Sequence, residues 1–393
     1  MDSTLRNIWF LNFSTFFFFL GISLTNPIVP PFVITLGATP FVVGLIAGVT
    51  SLLSLASKPI GGFIGDRGYR LEMMMIGNVI SFISGMLYVV SAYLHSLTVF
   101  ALARALHGFS MGIFFPSSLS TAVDLAPSGR IGETLGWRGM MFSLGNIIGP
   151  ALGGYLSDYV GFGGAFSFVS IFSLAGFLFV IPVWKDVGKA YHRELKRKNV
   201  RYHALLRITF VSASAALLFF SASYSGVLTF LPAFYKSLGF PQRIFGLYMM
   251  VVGVTSFITR LIGGKTADRI GPIPVSIGGI LIVVCGYLLL DFMTLPPGSY
   301  LSAVLIGAGF GLAVPAMQMM ALAPLPESIR SMGSSVYTMF FDLGMLGGQV
   351  TLGYVADVSG SYKTVFSVLP VLGGMALGSV ILPKVWGEKP CPS

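Results

Sequence analysis

Charge is scarce in this 393-residue chain: 10% of residues are Asp, Glu, Lys or Arg, against 54% hydrophobic. With a mean hydropathy of +0.84, the chain lacks the polar surface of an ordinary soluble domain. Cysteine is scarcer still. Cys285 falls inside an apolar run and Cys391 in the tail, so neither a disulfide framework nor thiolate metal spacing is present. The four histidines, His95, His107, His192 and His203, are too dispersed for a metal centre, and no cofactor is expected. Strict alternation of apolar and polar residues is also missing, which excludes a membrane barrel of strands.

What the chain does have is long apolar runs. Twelve reach the ~20 residues needed to cross a bilayer, near 7–29, 40–62, 72–93, 97–122, 132–156, 163–184, 205–231, 242–264, 273–293, 299–322, 331–356 and 363–385. They predict an all-α polytopic membrane protein. Arg6 before the first run imitates a signal peptide, but the run is too long and no small-residue cleavage site follows, so it reads as a retained span.

The net charge of +10 is placed for topology and not for nucleic acid. With the first residues inside, 20 of the 24 bases lie on inside segments or nearby helix ends, eight of them between Lys185 and Arg207. Lys236, Arg243 and Lys363 fall outside and Arg104 within a span. The positive-inside rule then puts both termini in the cytoplasm and the protein in the cytoplasmic membrane. Residues 185–204 read as a basic linker against membrane lipids, dividing a six-helix half, 1–184, from a second, 205–393.

The halves are copies. Lys58 to Arg70, KPIGGFIGDRGYR, returns 202 positions later as Arg260 to Pro272, RLIGGKTADRIGP. Each is a short charged turn between two spans, with paired glycines for close helix approach and an acid for the next helix's first N–H groups. Leu36-Gly37 matches Leu238-Gly239 at the same offset, and Gly149, Gly154 and Asp158 match Gly348, Gly353 and Asp357 at 199. Gly62, Asp66 and Arg67 resemble the loop signature of the major facilitator superfamily, close to G-x-L-a-D-R-x-G-R-R. The first copy is one residue shorter than that ending, and the second keeps Asp268-Arg269 but has Pro272 for the base. The resemblance implies a conformational gate at Asp66, Arg67, Asp268 and Arg269.

Polar residues inside spans mark the candidate site. Arg104 sits deep in the fourth run, where charge is costly and a functional role is the default expectation. His107 is one turn on, and FALARALHGFSMG resembles the superfamily's fourth-helix pattern l-x-x-x-R-x-x-q-G, with His107 at the Gln position. That implies proton coupling by Arg104; the alternative is a packing role. Asp342 is the acid placed deep in the eleventh run, where burial is expected to raise its pKa toward a range for proton exchange. Asp342, Arg104 and His107 are the expected proton-coupling residues. Ser335, Thr338 and Gln349 stand at −7, −4 and +7 from Asp342, a stripe that must face water or protein. Asn12, Ser23 and Asn26 share a face of the first run, and Ser51, Ser54 and Lys58 a face of the second. Asn26, Ser23, Ser335, Thr338, Gln349 and Gln318 are the expected substrate-cavity residues. Met73 to Met75 read as soft packing. Phe16 to Phe19 read as lipid contact, because four consecutive residues point all ways round a helix.

In the fifth run, Gly136, Gly145, Gly149, Pro150, Gly153 and Gly154 fit G-x8-G-x3-G-P-x2-G-G without exception. Glycines at every fourth position make a groove for close approach, and Pro150 permits a bend. The pattern resembles the antiporter motif of the superfamily's twelve-helix drug/proton exporters. In the eleventh run only part of it survives, with Gln349 in place of Pro150.

Two other motifs are decoys. Gly108-Phe109-Ser110-Met111-Gly112 fits G-x-S-x-G but lies within an apolar helix. Gly264-Lys265-Thr266 ends like a phosphate loop, yet Thr259 occupies its first glycine. No enzyme chemistry is expected. The resemblance implies a monomeric secondary transporter exporting a small amphipathic or drug-like compound against protons by alternating access. A sugar or metabolite symporter or uniporter, a lipid or glycolipid flippase, and a non-transporting sensor are the alternatives.

Overall fold

The structure is a computed structural model describing residues 3–127, 130–187, 205–325 and 327–385. Its elements are α1 Ser3–Leu24, α2 Val29–Thr35, α3 Pro40–Ile64, α4 Arg70–Leu94, α5 Leu97–Asp124, α6 Ile131–Val187, α7 Ile208–Ser237, α8 Gln242–Ile270, α9 Pro272–Phe292, α10 Ser299–Leu322, α11 Glu327–Ser359 and α12 Lys363–Val385. No strand occurs among the described residues. Linker residues 188–204 and Cys391 lie outside the described residues.

Ten helical stretches among the described residues are long and apolar enough to cross a membrane. Two features complete twelve passes. α6 runs for 57 residues, ~85 Å at 1.5 Å per residue, far more than the ~30 Å hydrocarbon core. It is broken at Gly161, with φ 73° and ψ 176°, into passes 131–160 and 162–187. α11 has the length, 33 residues, but its Ser335–Thr338–Asp342–Gln349 stripe dilutes its apolar character. The first run is itself interrupted: α1 stops at Leu24, Pro27 lies in the turn, and Pro30 sits in the first turn of α2, where its missing N–H is not needed.

Two compact units result. One is Met1–Ala38, Val49–Lys196 and Tyr235–Leu247; the other is Thr39–Gly48, Arg197–Phe234 and Tyr248–Ser393. The duplication extends to backbone shape, since Gly37 and Gly239 both have φ 79°, a left-handed conformation that glycine adopts without a Cβ penalty. It extends to packing as well. In the first unit a Cβ on Gly108 would stand 2.2 Å from the Thr50 carbonyl oxygen, and one on Gly112 2.0 Å from Ser57 Oγ. In the second, Gly307 meets Val252 O at 2.4 Å and Gly311 meets Thr259 Oγ1 at 2.1 Å. The G-x-S-x-G string is therefore half of a helix seam, with no nucleophile elbow.

The first unit's core holds Phe18, Phe19, Leu71, Met74, Phe114, Leu125, Val180 and Val183. Phe18 is 1% exposed and stacks on Phe114 with centroids 3.7 Å apart, and Phe19 meets Phe142 at 4.5 Å. The expected lipid contact is thus overturned for these two. α1 is covered by α5 and α6 on this face, leaving Phe16 and Phe17 half-buried. Met74, fully buried, fills the core as a pliable side chain does. Apolar side chains such as Phe63, Leu102, Ile171 and Val371 are exposed along the helices, as lipid-facing positions require.

Candidate functional site

In the first unit, α5 carries Arg104 and His107 into the interior, 8% and 1% exposed. One turn apart, they share a helix face. His107 Nδ1 is 3.0 Å from the Tyr88 hydroxyl on α4, and Nε2 has no hydrogen-bond partner among the described residues. The charge of Arg104 acts on both Tyr88 and His107. Tyr88 in turn packs on Phe100 and Phe166 at 5.1 and 5.0 Å. Close packing of α3 on α5 at Gly108 holds the group, with Thr50 Oγ1 donating to the Arg104 carbonyl at 3.2 Å. The result is a cation, an imidazole and a phenol in one buried cluster. Tyr88 was not legible in the sequence, because nothing local marks a tyrosine 19 residues away as a partner.

α11 positions the second unit's candidates. Asp342 is 3% and Gln349 4% exposed. Gln349 Nε2 donates to Thr229 Oγ1 at 3.4 Å. The helix seats on α7 through glycines: a Cβ on Gly344 would stand 2.0 Å from Ser221 Oγ, and on Gly348 2.3 Å from Ser225 Oγ. Thr338 is half-buried with its hydroxyl on the Ser335 carbonyl at 2.9 Å, and Ser335 and Gln318 are exposed. In the turn after α1, Asn26 is half-buried, while Ser23 on α1 donates to Phe19 O and Gly145 O, each at 2.7 Å. Ser23 therefore ties α1 to α6.

The six-position glycine pattern divides by environment. Gly145, Gly149 and Gly153 face α1, where added Cβ atoms would stand 2.9 Å from Leu20 N, 2.0 Å from Ser23 Oγ and 2.1 Å from Leu24 O. Gly154 lies against the first turn of α8, 2.7 Å from Arg243 Cα, and the Pro150 carbonyl meets Gly246 in the same measure at 2.5 Å. Gly136 has nothing within 4 Å.

At the charged turns, the side chain of Asp66 lies outside the described atoms. Arg67 is exposed with its guanidinium 4.1 Å over the Phe63 ring, and Asp268 and Arg269 are exposed. Arg70 pairs with Asp124, joining the start of α4 to the end of α5. The carboxylate with the clearest structural task is Asp158. Its Oδ1 accepts from Gln242 N at 2.9 Å and its Oδ2 from Arg243 N at 3.0 Å, so it caps α8 from another helix. The signal was present: Gly154-x-x-x-Asp158 repeats Gly62-x-x-x-Asp66. Replacing Asp158 with Ala is expected to destabilise the fold by about 1–2 kcal/mol, the cost of losing a helix N-cap. Hydrogen exchange at residues 242 and 243 would speed up; unchanged protection there would remove Asp158 as a cap.

Among the described residues no three His, Cys, Asp or Glu side chains gather as metal ligands.

The comparisons with known proteins agree with this architecture. The family model "Major Facilitator Superfamily" matches residues 11–349. An uncharacterized MFS-type transporter of Methanocaldococcus jannaschii is 23% identical over 384 residues, covering 93% of this chain and 96% of that one. The quinolone resistance protein NorA of Staphylococcus aureus is 27% identical over 185 residues, 47% of either chain. Among solved structures, a bacterial homolog of the human lysosomal transporter Spinster superposes with a TM-score of 0.73 at 15% identity, covering 98% of this chain and 95% of that one. With twelve helical passes, a duplicated glycine-seamed architecture and a family match over most of its length, the chain belongs to the Major Facilitator Superfamily.

Proposed function

We propose that this transporter exports a small amphipathic, drug-like compound in exchange for protons, by alternating access of two six-helix halves, 1–184 and 205–393. The observation that carries this reading is the glycine face of α6. Gly145, Gly149 and Gly153 lie against the α1 backbone in a six-position pattern that resembles the antiporter motif of drug/proton exporters. The half-length likeness to a quinolone resistance protein supports the same substrate class. Asp342 takes up a proton on the outward-facing side and releases it inside, and Arg104 with His107 responds to that change of charge. Competition between proton and substrate supplies the coupling. Asn26, Thr338, Gln349, Gln318 and Ser335 line the substrate path, while Asp66 and Asp268 hold cytoplasmic helix ends. The protein works as a monomer in the cytoplasmic membrane with both termini inside.

The test is proton flux in sealed proteoliposomes loaded with a pH-sensitive dye, with lipophilic cations, neutral drugs, sugars and organic anions offered in turn. Proton movement opposite to that of the substrate is expected. Movement in the same direction would establish symport and end the export reading.

A further inference from the structure

Arg138 is a buried charge that the transport scheme does not use. It stands two turns into α6 and is 4% exposed. Its Nε and Nη2 donate to the single hydroxyl of Ser118 at 3.2 and 2.6 Å, and Nη2 also reaches the Phe115 carbonyl at 3.3 Å. Nη1 donates to no described residue. Among the described residues, no carboxylate pairs with this guanidinium. A clamp between α5 and α6 needs only a neutral donor. A permanent charge held by two neutral acceptors is costly unless an anion completes it.

The surroundings say what kind of anion. The Arg138 guanidinium lies 5.1 Å over the Phe115 ring. Phe115 meets Phe142 at 6.1 Å and Phe19 at 5.9 Å, each edge to face. Phe115 and Phe142 are half-buried, leaving ring surface for another planar group. On α1, Asn12 is 0% exposed, and neither Nδ2 nor Oδ1 has a hydrogen-bond partner among the described residues. The two helices run parallel and in step, with Gly145 opposite Phe16–Leu20 and Gly149 opposite Leu20–Leu24. Trp9 meets Trp137 at 5.2 Å. Continued two turns back from Gly145, this register sets Asn12 level with Arg138.

We propose that Arg138 and Asn12 form a binding site for the carboxylate of an aromatic organic acid, with its ring against Phe115 and Phe142. Nη1 and the Asn12 amide supply donors for the carboxylate oxygens, a charge-assisted arrangement stronger than neutral hydrogen bonds. The site names a substrate class for the transporter and rests on the reading that it moves small amphipathic compounds.

Equilibrium dialysis of the purified full-length protein, without a gradient, against radiolabelled 2-naphthoate and neutral 2-naphthamide tests it. Saturable naphthoate binding is expected, at least about tenfold tighter than naphthamide. Arg138→Gln should remove that preference while leaving naphthamide binding unchanged, which loss of folding would not do. Arg138→Lys should keep part of the preference, and Asn12→Ala should weaken naphthoate alone. Equal binding of the two probes by the unaltered protein would overturn the proposal. So would no naphthoate binding at all, or a preference untouched in both Arg138→Gln and Asn12→Ala. Should Arg138→Gln not fold, the two-probe comparison on the unaltered protein and on Asn12→Ala still decides. Because no gradient is used, failure of proton coupling would leave this site standing, and failure of naphthoate to bind would leave antiport standing.

Discussion

Substrate-evoked proton movement is expected to fall to the level of protein-free liposomes when Asp342 is replaced by Asn. The substitution keeps the shape of the side chain and its capacity to hydrogen-bond, and removes only the ability to carry a negative charge. Asp342 is 3% exposed on α11, a position where an ionisable group is costly to bury. If coupling works by competition, the Asn variant is fixed in the neutral form. Its cycle then no longer exchanges a proton for substrate. Substrate binding without a gradient should persist, so the loss is specific to the linked step. Asp342→Glu should retain part of the flux. Full proton-linked transport by Asp342→Asn across the pH range would take Asp342 out of the mechanism.

The sequence was informative wherever the membrane itself sets the rule. Apolar length gave the passes, and the duplication was legible even to the turn glycines 37 and 239, which share one φ. Polarity inside a span picked out Arg104, His107, Asp342 and Gln349, all buried in the structure. Partnership was not legible. A run of four phenylalanines circles its helix, so Phe18 and Phe19 read as lipid contacts in the sequence, and only the seating of α5 and α6 decides which face is covered. The pairing of His107 with Tyr88 depends on how α4 and α5 cross. Asp158 looks like a second turn acid, and its work appears only when the first turn of α8 is brought against it. By charge and position Arg138 resembles one more inside base, although helix packing buries it. In each case the residue type was visible and its neighbour was not.

One methyl group added at two places in the same glycine pattern should give opposite results. At Gly153 a Cβ would stand 2.1 Å from the Leu24 carbonyl oxygen and 3.0 Å from its carbon. Both are backbone atoms of α1, so no side-chain rotation relieves the clash and the helices must part. Parting them loosens the contact at Gly149 and stretches the bond from Ser23 Oγ to the Gly145 carbonyl. Gly153→Ala should therefore destabilise the protein by about 3 kcal/mol, at the upper end of overpacking costs, and lower its melting temperature in detergent. Gly136 has open space within 4 Å, and alanine is the better helix former. Gly136→Ala should be neutral or stabilising by about 0.5–1 kcal/mol. The comparison separates two meanings of the pattern. If both variants melt like the unaltered protein, the seam between α1 and α6 is looser than the distances require. If both are stable but Gly136→Ala alone loses transport, Gly136 acts in another state of the cycle, and its place in the pattern reflects movement and not packing.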